Sequence, residues 1–172
     1  MEQVDFNYLK DKIEPIQWMF FDVDGIFTDG SLYYGVDGEI FKKFNVLDGH
    51  GVKRLNQNGV KVGLISSRDH SSTRIRAAEL GINTLMLGEE NKLMAFENWA
   101  RTLNVTQKFC GHMGDDYPDL GLFNAVGFTA SVPNAVEEVR ERADFVTIKS
   151  GGRGAVREVA DLILSIKNGH VS

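Results

Sequence analysis

Cysteine is almost missing from this 172-residue chain, and the one present, Cys110, has no partner for an internal disulfide. That scarcity fits a reducing compartment, so the expected location is cytoplasmic. Long apolar runs are missing too: nothing approaches the roughly 18 residues of a membrane span. The segment Met1–Lys12 carries Glu2, Asp5 and Asp11 and lacks the apolar core of a signal peptide. There is no excess of basic charge. The formal net charge of −5 gives no general attraction to nucleic acid or to an anionic membrane. The four histidines, His50, His70, His112 and His170, show no metal-ligand spacing, which argues against a histidine–zinc site. The residue six after Cys110 is Asp116, so the Cys-x5-Arg of a cysteine phosphatase is absent, and no Gly-Lys-Ser/Thr closes a phosphate loop.

What is present is an ordinary globular composition, with 42% hydrophobic and 25% charged residues, of a length that suits a single domain over 1–172. Short apolar runs alternate with helical patterns. Ile16–Val23 (IQWMFFDV) reads as a strand buried on both faces. Val60–Ile65, Thr84–Leu87, Phe109–Met113, Val126–Thr129 and Phe145–Ile148 are further strand candidates. Helices are expected at Gly51–Asn58, Ser71–Leu80, Asn91–Leu103, Asp119–Asn124, Asn134–Arg140 and Ala155–Lys167. Asn91 is placed to cap the third and Gly81 to end the second. This alternation predicts an α/β fold, doubly wound, with a mostly parallel sheet and functional residues beyond the carboxyl ends of its strands.

One insert breaks the pattern. Ser31–Tyr34 and Glu39–Phe44 flank Gly35-Val36-Asp37-Gly38, a β-hairpin with a four-residue loop spanning 31–44. Only 18 residues (30–47) lie between Asp29 and Asp48, and 25 (67–91) between Ser66 and Lys92. Neither gap holds a cap domain, so the site is open unless a second subunit covers it. Tyr33, Tyr34, Ile40, Phe41 and Phe44 are too many large apolar groups for a free arm, which favours burial at a subunit interface.

The chemistry collects at four strand-to-helix connections. Asp22-Val23-Asp24-Gly25 follows the first strand, with two carboxylates on one side of an extended chain and a glycine for the turn. Paired carboxylates repel, and a hard divalent cation relieves them. Ser66-Ser67-Arg68 ends the second core strand. Lys92 opens a helix, where amides and charge favour an anion. Gly114-Asp115-Asp116-Tyr117-Pro118-Asp119 supplies a second acidic group. Together they describe a Mg²⁺ site facing a phosphate site. A receiver domain of a signalling pair combines similar groups, but there the lysine comes last, whereas Lys92 precedes the second acidic group.

These four motifs resemble those of the haloacid dehalogenase superfamily. The match is closer to its lidless branch of 3-deoxy-D-manno-octulosonate (KDO) 8-phosphate phosphatases, through DVDGIFTDG at 22–30, FNVLDGHG at 44–51, NKLMAF at 91–96 and GGRGAVREV at 151–159. The resemblance implies a Rossmann-like fold without a cap. It implies Asp22 as nucleophile, Asp24 as general acid and base, and Mg²⁺ held by Asp22, the Asp24 carbonyl and Asp115. Ser66 and Lys92 would bind the phosphoryl group, with Asp116 and Asp119 steering metal waters or Lys92. Lys53, Arg68 and Arg76 would recognise a sugar-acid carboxylate, and Asn45, Asp48 and Gly49 its hydroxyls. The substrate class implied is a sugar-acid phosphate, KDO 8-phosphate first, in lipopolysaccharide precursor synthesis.

In that branch the hairpin and the glycine-rich tail, here 151–172 with its final helix, help close a neighbour's site within a homotetramer. Alone, Gly151-Gly152-Arg153-Gly154 reads as a flexible turn. Leu47 stands where the branch commonly has arginine, and Lys53 also replaces an arginine, so a bidentate carboxylate fork is missing. A nonulosonate 9-phosphate is the alternative substrate. A non-catalytic module like that on some sialic-acid cytidylyltransferases is the alternative class, and retention of both Asp22 and Asp24 argues against it.

Overall fold

The computed structural model describes residues 6–169. Its elements in chain order are α1 (Phe6–Ile13), β1 (Trp18–Phe21), β2 (Tyr33–Gly35), β3 (Gly38–Phe41), α2 (Val46–Gln57), β4 (Lys61–Ser66), α3 (Ser71–Leu80), β5 (Thr84–Leu87) and α4 (Lys92–Thr102). They continue with β6 (Cys110–Met113), α5 (Leu120–Ala125), β7 (Phe128–Ser131), α6 (Glu137–Arg142), β8 (Phe145–Val146) and α7 (Ala155–Lys167). Six strands form one sheet in the order β5-β4-β1-β6-β7-β8, and every pairing in it is parallel. β1 lies centrally between β4 and β6, at the place where the chain reverses direction across the sheet. The crevice beyond its carboxyl end is where ligands bind in such sheets.

Each face of the sheet has its own core, as strands buried on both sides require. On one face Phe21, Val52, Leu55, Val156, Val159, Ala160 and Ile163 join the sheet to α2 and α7. On the other, Phe20, Ile65, Phe96 and Leu122 pack with half-buried Trp18 and Trp99. The Phe20 and Trp99 rings meet edge to face at 4.7 Å, an orientation their quadrupoles favour. No cap domain is present among the described residues, and no helix of them is long and apolar enough to cross a membrane.

The structure corrects several boundaries. α1 was not foreseen; it packs against the body through Leu9 and Ile13 and leaves Phe6 and Tyr8 exposed beside its charged residues. α2 begins at Val46 rather than at Gly51. Asn45 caps it by accepting from the Leu47 amide, and packing on α7 overrides the low helix propensity of Gly49 and Gly51. The hairpin turn is shorter than expected: Gly35 pairs with Gly38, leaving only Val36 and Asp37 between the strands. β7 runs two residues later than Val126–Thr129, and β8 keeps only two residues of Phe145–Ile148. Gly81 does end α3, in the left-handed conformation.

Candidate active site

The carboxyl ends of β1, β4 and β6 and the start of α4 converge on one cavity of about 330 Å³. Asp22, Asp24, Gly25, Gly30, Ser66, Ser67, Arg68, Lys92, Asp115, Asp116 and Pro118 line it. Asp22 leaves β1 with its amide bonded to the Met113 carbonyl of β6 at 2.9 Å, so sheet hydrogen bonding itself aims the carboxylate into the crevice. Its Oδ1 accepts from the Val23 amide at 2.6 Å, and its Oδ2 lies 2.9 Å from Lys92 Nζ.

Lys92 is almost wholly buried, and its ammonium is also 2.8 Å from Asp119 Oδ1. Burial alone would lower its pKa, but the Asp22 and Asp119 carboxylates outweigh burial and raise it. His112 Nε2 reaches the same Asp119 oxygen at 2.8 Å. Asp119 Oδ2 accepts from the amides of Asp115 at 3.1 Å and Asp116 at 3.3 Å. Burial pushes Asp119 up, yet His112 and Lys92 overcome this and hold it at about 2. Asp119 is thus a fixed anion that locks Lys92 in place.

The remaining acids face the opposite balance. Burial, with the Asp119 charge, lifts Asp22 well above the usual carboxylate range despite Lys92. The same two causes push Asp115 up to about 7. Oxygens of Asp22, Asp115 and Asp119 lie within 4.8 Å of one another. Each Asp119 oxygen already takes two contacts and each Asp22 oxygen only one, so Asp22 and Asp115 are the acids with lone pairs to offer a cation. An all-oxygen, negatively overcharged set of this kind suits a hard divalent cation such as Mg²⁺. Gly25 makes the approach possible: at φ +87°, a Cβ there would sit 1.9 Å from Asp115 Oδ2.

Ser66 ends β4 almost fully buried, its hydroxyl accepting from the Arg68 amide at 3.2 Å. Asp116 is exposed and caps the short 3₁₀ turn Tyr117–Asp119 in a reciprocal capping box with Asp119. The expected sugar-side residues divide. Arg68 lines the cavity. Arg76, Lys53 and Gly49 line a separate shallow pocket with Val46, His50 and Leu80. Arg76 donates to the Asn45 carbonyl at 3.4 Å and to Glu79 at 3.0 Å. Asp48 is fully buried, and its oxygens accept from the Gly154 and Arg157 amides at 3.2 and 3.0 Å, capping α7 from outside. Asn45 donates to the Gly152 carbonyl at 3.3 Å. Asn45 and Asp48 thus tie the start of α2 to the tail, and neither lines the cavity.

That tail is no flexible turn. A Cβ on Gly151 would fall 1.7 Å from the Gly25 carbonyl oxygen, and the Gly152 amide donates to Ile26 at 2.9 Å. Two residues beside the acids were missed from sequence. Lys42 meets Asp24 Oδ1 at 2.6 Å; the one available signal was that it shares an extended face with inward-packed Phe44. His112 was expected only to pack, and a fully buried histidine one turn of sequence before an acidic loop was the overlooked sign. Cys110 does pack, with burial pushing its thiol up to about 12.

Comparison with known proteins decides the family. The 3-deoxy-D-manno-octulosonate 8-phosphate phosphatase of Escherichia coli (strain K12) is 40% identical over 153 residues, covering 89% of this chain and 81% of that protein. The chain belongs to the haloacid dehalogenase superfamily. A profile for haloacid dehalogenase-like hydrolases matches residues 84–159. The KDO 8-phosphate phosphatase of Moraxella catarrhalis, solved with magnesium, phosphate and KDO, superposes at TM-score 0.92 with 39% identity, over 96% of this chain and 95% of that one. The cobalt-bound enzyme of Haemophilus influenzae gives 0.88 with 38% identity, over 92% and 93%. As a member of this branch the chain is a phosphoric monoester hydrolase.

Proposed function

We propose that this phosphatase hydrolyses sugar-acid phosphates, with KDO 8-phosphate first, through an aspartyl-phosphate on Asp22. The carrying observation is the Asp22–Lys92 contact at 2.9 Å inside a cavity that also holds Ser66, Asp24 and Asp115. It puts a carboxylate nucleophile beside a locked cation that receives phosphoryl oxygens. An Asp22 oxygen attacks phosphorus as the ester oxygen leaves. Asp24 gives that oxygen a proton, then takes one from the water that cleaves the acyl phosphate. Lys92 and the Ser66 hydroxyl offset the charge on the equatorial oxygens. Asp22, Asp115 and the Asp24 carbonyl would hold Mg²⁺, which supplies charge neutralisation between the nucleophile and the phosphoryl group.

The 172 residues act as one catalytic domain. With no cap to complete the cavity, we assign that role to neighbouring subunits of a homotetramer in the cytoplasm, assembled through the exposed hairpin residues Tyr34, Ile40 and Phe41. Asn45, Lys53 and Arg76 would then contribute to the substrate side of that shared assembly. The second reading is a nonulosonate 9-phosphate: it shares its carboxylate with KDO 8-phosphate, so what supports it is the departure from the KDO-branch pattern at Leu47, exposed and apolar. Specificity constants for KDO 8-phosphate, a nonulosonate 9-phosphate and glucose 6-phosphate, with and without Mg²⁺, test both. A preference of at least tenfold for the first is expected, and equal values for all three would end the sugar-acid assignment.

A further inference from the structure

Lys42 is a buried cation that the mechanism above leaves without a task. Its side chain is 1% exposed, and a lysine that deep needs charged partners to offset its lost hydration. It has two, on different parts of the molecule. Asp24 Oδ1 lies 2.6 Å from Nζ on the catalytic loop, and Glu39 Oε1 lies 2.8 Å away on β3. Glu39 is held from its other side by Arg68, whose guanidinium reaches Oε2 at 3.1 Å from the loop after β4. Asp24 receives besides only a long contact from Thr28 Oγ1, at 3.5 Å, and its Oδ2 is buried with no hydrogen-bond partner. One carboxylate oxygen is therefore pinned and the other left free at a residue that lines the cavity.

We propose that Lys42 is a positioning residue for Asp24: through the Arg68–Glu39–Lys42 brace the hairpin sets the orientation of the carboxylate that exchanges protons with the ester oxygen and water. The inference rests on the acid–base reading of Asp24. It makes the hairpin a working part of the catalytic centre within its own subunit, because displacing Glu39 frees Lys42 and lets Asp24 rotate. The brace ties together three segments, and a purely structural ion pair would tie the same three. The distinction lies in whether loss of Lys42 is felt through Asp24.

The test is a double-mutant cycle on a simple alkyl phosphate monoester, in which Lys42→Met is made in the wild-type and the Asp24→Asn proteins. In the wild-type background kcat should fall by about tenfold or more with KM within about twofold. Lys42→Arg should recover most of the loss. In the Asp24→Asn background the same change should cost less than about twofold, since the group it orients is gone. Turnover of p-nitrophenyl phosphate, whose leaving group needs less protonation, should fall less than that of the alkyl ester. Inhibition by orthovanadate at wild-type strength would show that the phosphate and metal sites remain assembled. Should Lys42→Met fail to fold, Lys42→Gln carries the same cycle with the same outcomes. An unchanged kcat, or an equal loss in both backgrounds, would overturn the inference. Full turnover by Asp24→Asn alone would instead remove the acid–base reading, and this inference with it.

Discussion

The floor of the cavity and the hairpin beside it are built on opposite terms. On the floor, Asp22, Lys92, Asp119 and His112 form an unbroken chain of contacts of 2.8–2.9 Å, all nearly inaccessible to solvent. The hairpin shows Tyr34 and Ile40 each 61% exposed and Val36 fully so. A floor whose groups are all engaged holds its geometry without help, as electrostatic preorganisation requires. A hairpin with bare apolar side chains is waiting for a surface. The floor is thus built within one chain, and the hairpin offers the apolar surface on which the proposed assembly rests.

The largest effect should come from the floor. Asp22→Asn is expected to abolish Mg²⁺-dependent phosphate release, since an amide cannot attack phosphorus, and Asp24→Asn to slow turnover by at least about 10²-fold. Phosphate release by a purified Asp22→Asn protein at the wild-type rate would break the assignment of the floor. Next in size is Gly25→Ala. It adds both a clash with Asp115 and a left-handed φ, together worth about 2–4 kcal/mol of stability, and should weaken Mg²⁺ binding in a metal titration.

The hairpin should respond differently. Ile40→Ser with Phe41→Ser removes two largely exposed apolar groups and one ring stack, on Tyr33, inside the hairpin, so the melting temperature should change little while sedimentation shows smaller species and specificity for the sugar acid drops. Deleting 32–41 should give the same smaller species and, by taking Glu39 from the buried Lys42, lower the melting temperature and disturb Asp24. A monodisperse, fully active monomer in the unmodified protein would erase the contrast between the two regions.

The smallest effect is with pH. Folded-state values for Asp22 and Asp115 lie above the ordinary carboxylate value, with Asp115 at about 7. Between that ordinary value and about 7 the folded, metal-free protein binds more protons than the unfolded chain, so its stability falls as pH rises through this window. His112, kept neutral by burial, works in the other direction below its ordinary 6.5. Mg²⁺ competes with the same protons, so the shift in melting temperature that it produces should grow from pH 6 to pH 8. A metal-induced shift independent of pH would show that these carboxylates are not its ligands.

The sheet and most of the floor were readable in the sequence, His112 excepted, because Asp22, Ser66 and Asp115 stand at or just past the end of an apolar run that reads as a buried strand. Asp22, Ser66 and Asp115 needed no tertiary information. What was not readable depends on groups that only the fold brings together. α2 starts five residues early because α7 stabilises a glycine-rich turn that propensity alone rejects. Asp48 resembles a solvent-facing loop acid until Gly154 and Arg157 arrive to use it. Lys42 resembles any surface lysine until the hairpin folds over Asp24. Distance in the chain does not decide it, since Asp48 has its partners 106 and 109 positions away, Lys42 its catalytic acid 18 away and His112 its acid only seven away; what each lacked in the sequence was a sign that the fold would bury it.

The backbone contact between Gly151-Gly152 and the loop Gly25–Thr28 has a consequence for biosynthesis. The nucleophile and its loop emerge from the ribosome well over a hundred residues before the segment that seats them. Until then the Ile26 carbonyl lacks the Gly152 amide that donates to it, and Gly151 is not yet packed on the Gly25 carbonyl. A nascent chain therefore holds its catalytic acids without the support that aims them, and activity should switch on late and abruptly as residues 151–167, the seating glycines and α7, clear the exit tunnel. Arrested chains of increasing length, assayed on the ribosome, would show a step there and not a gradual rise.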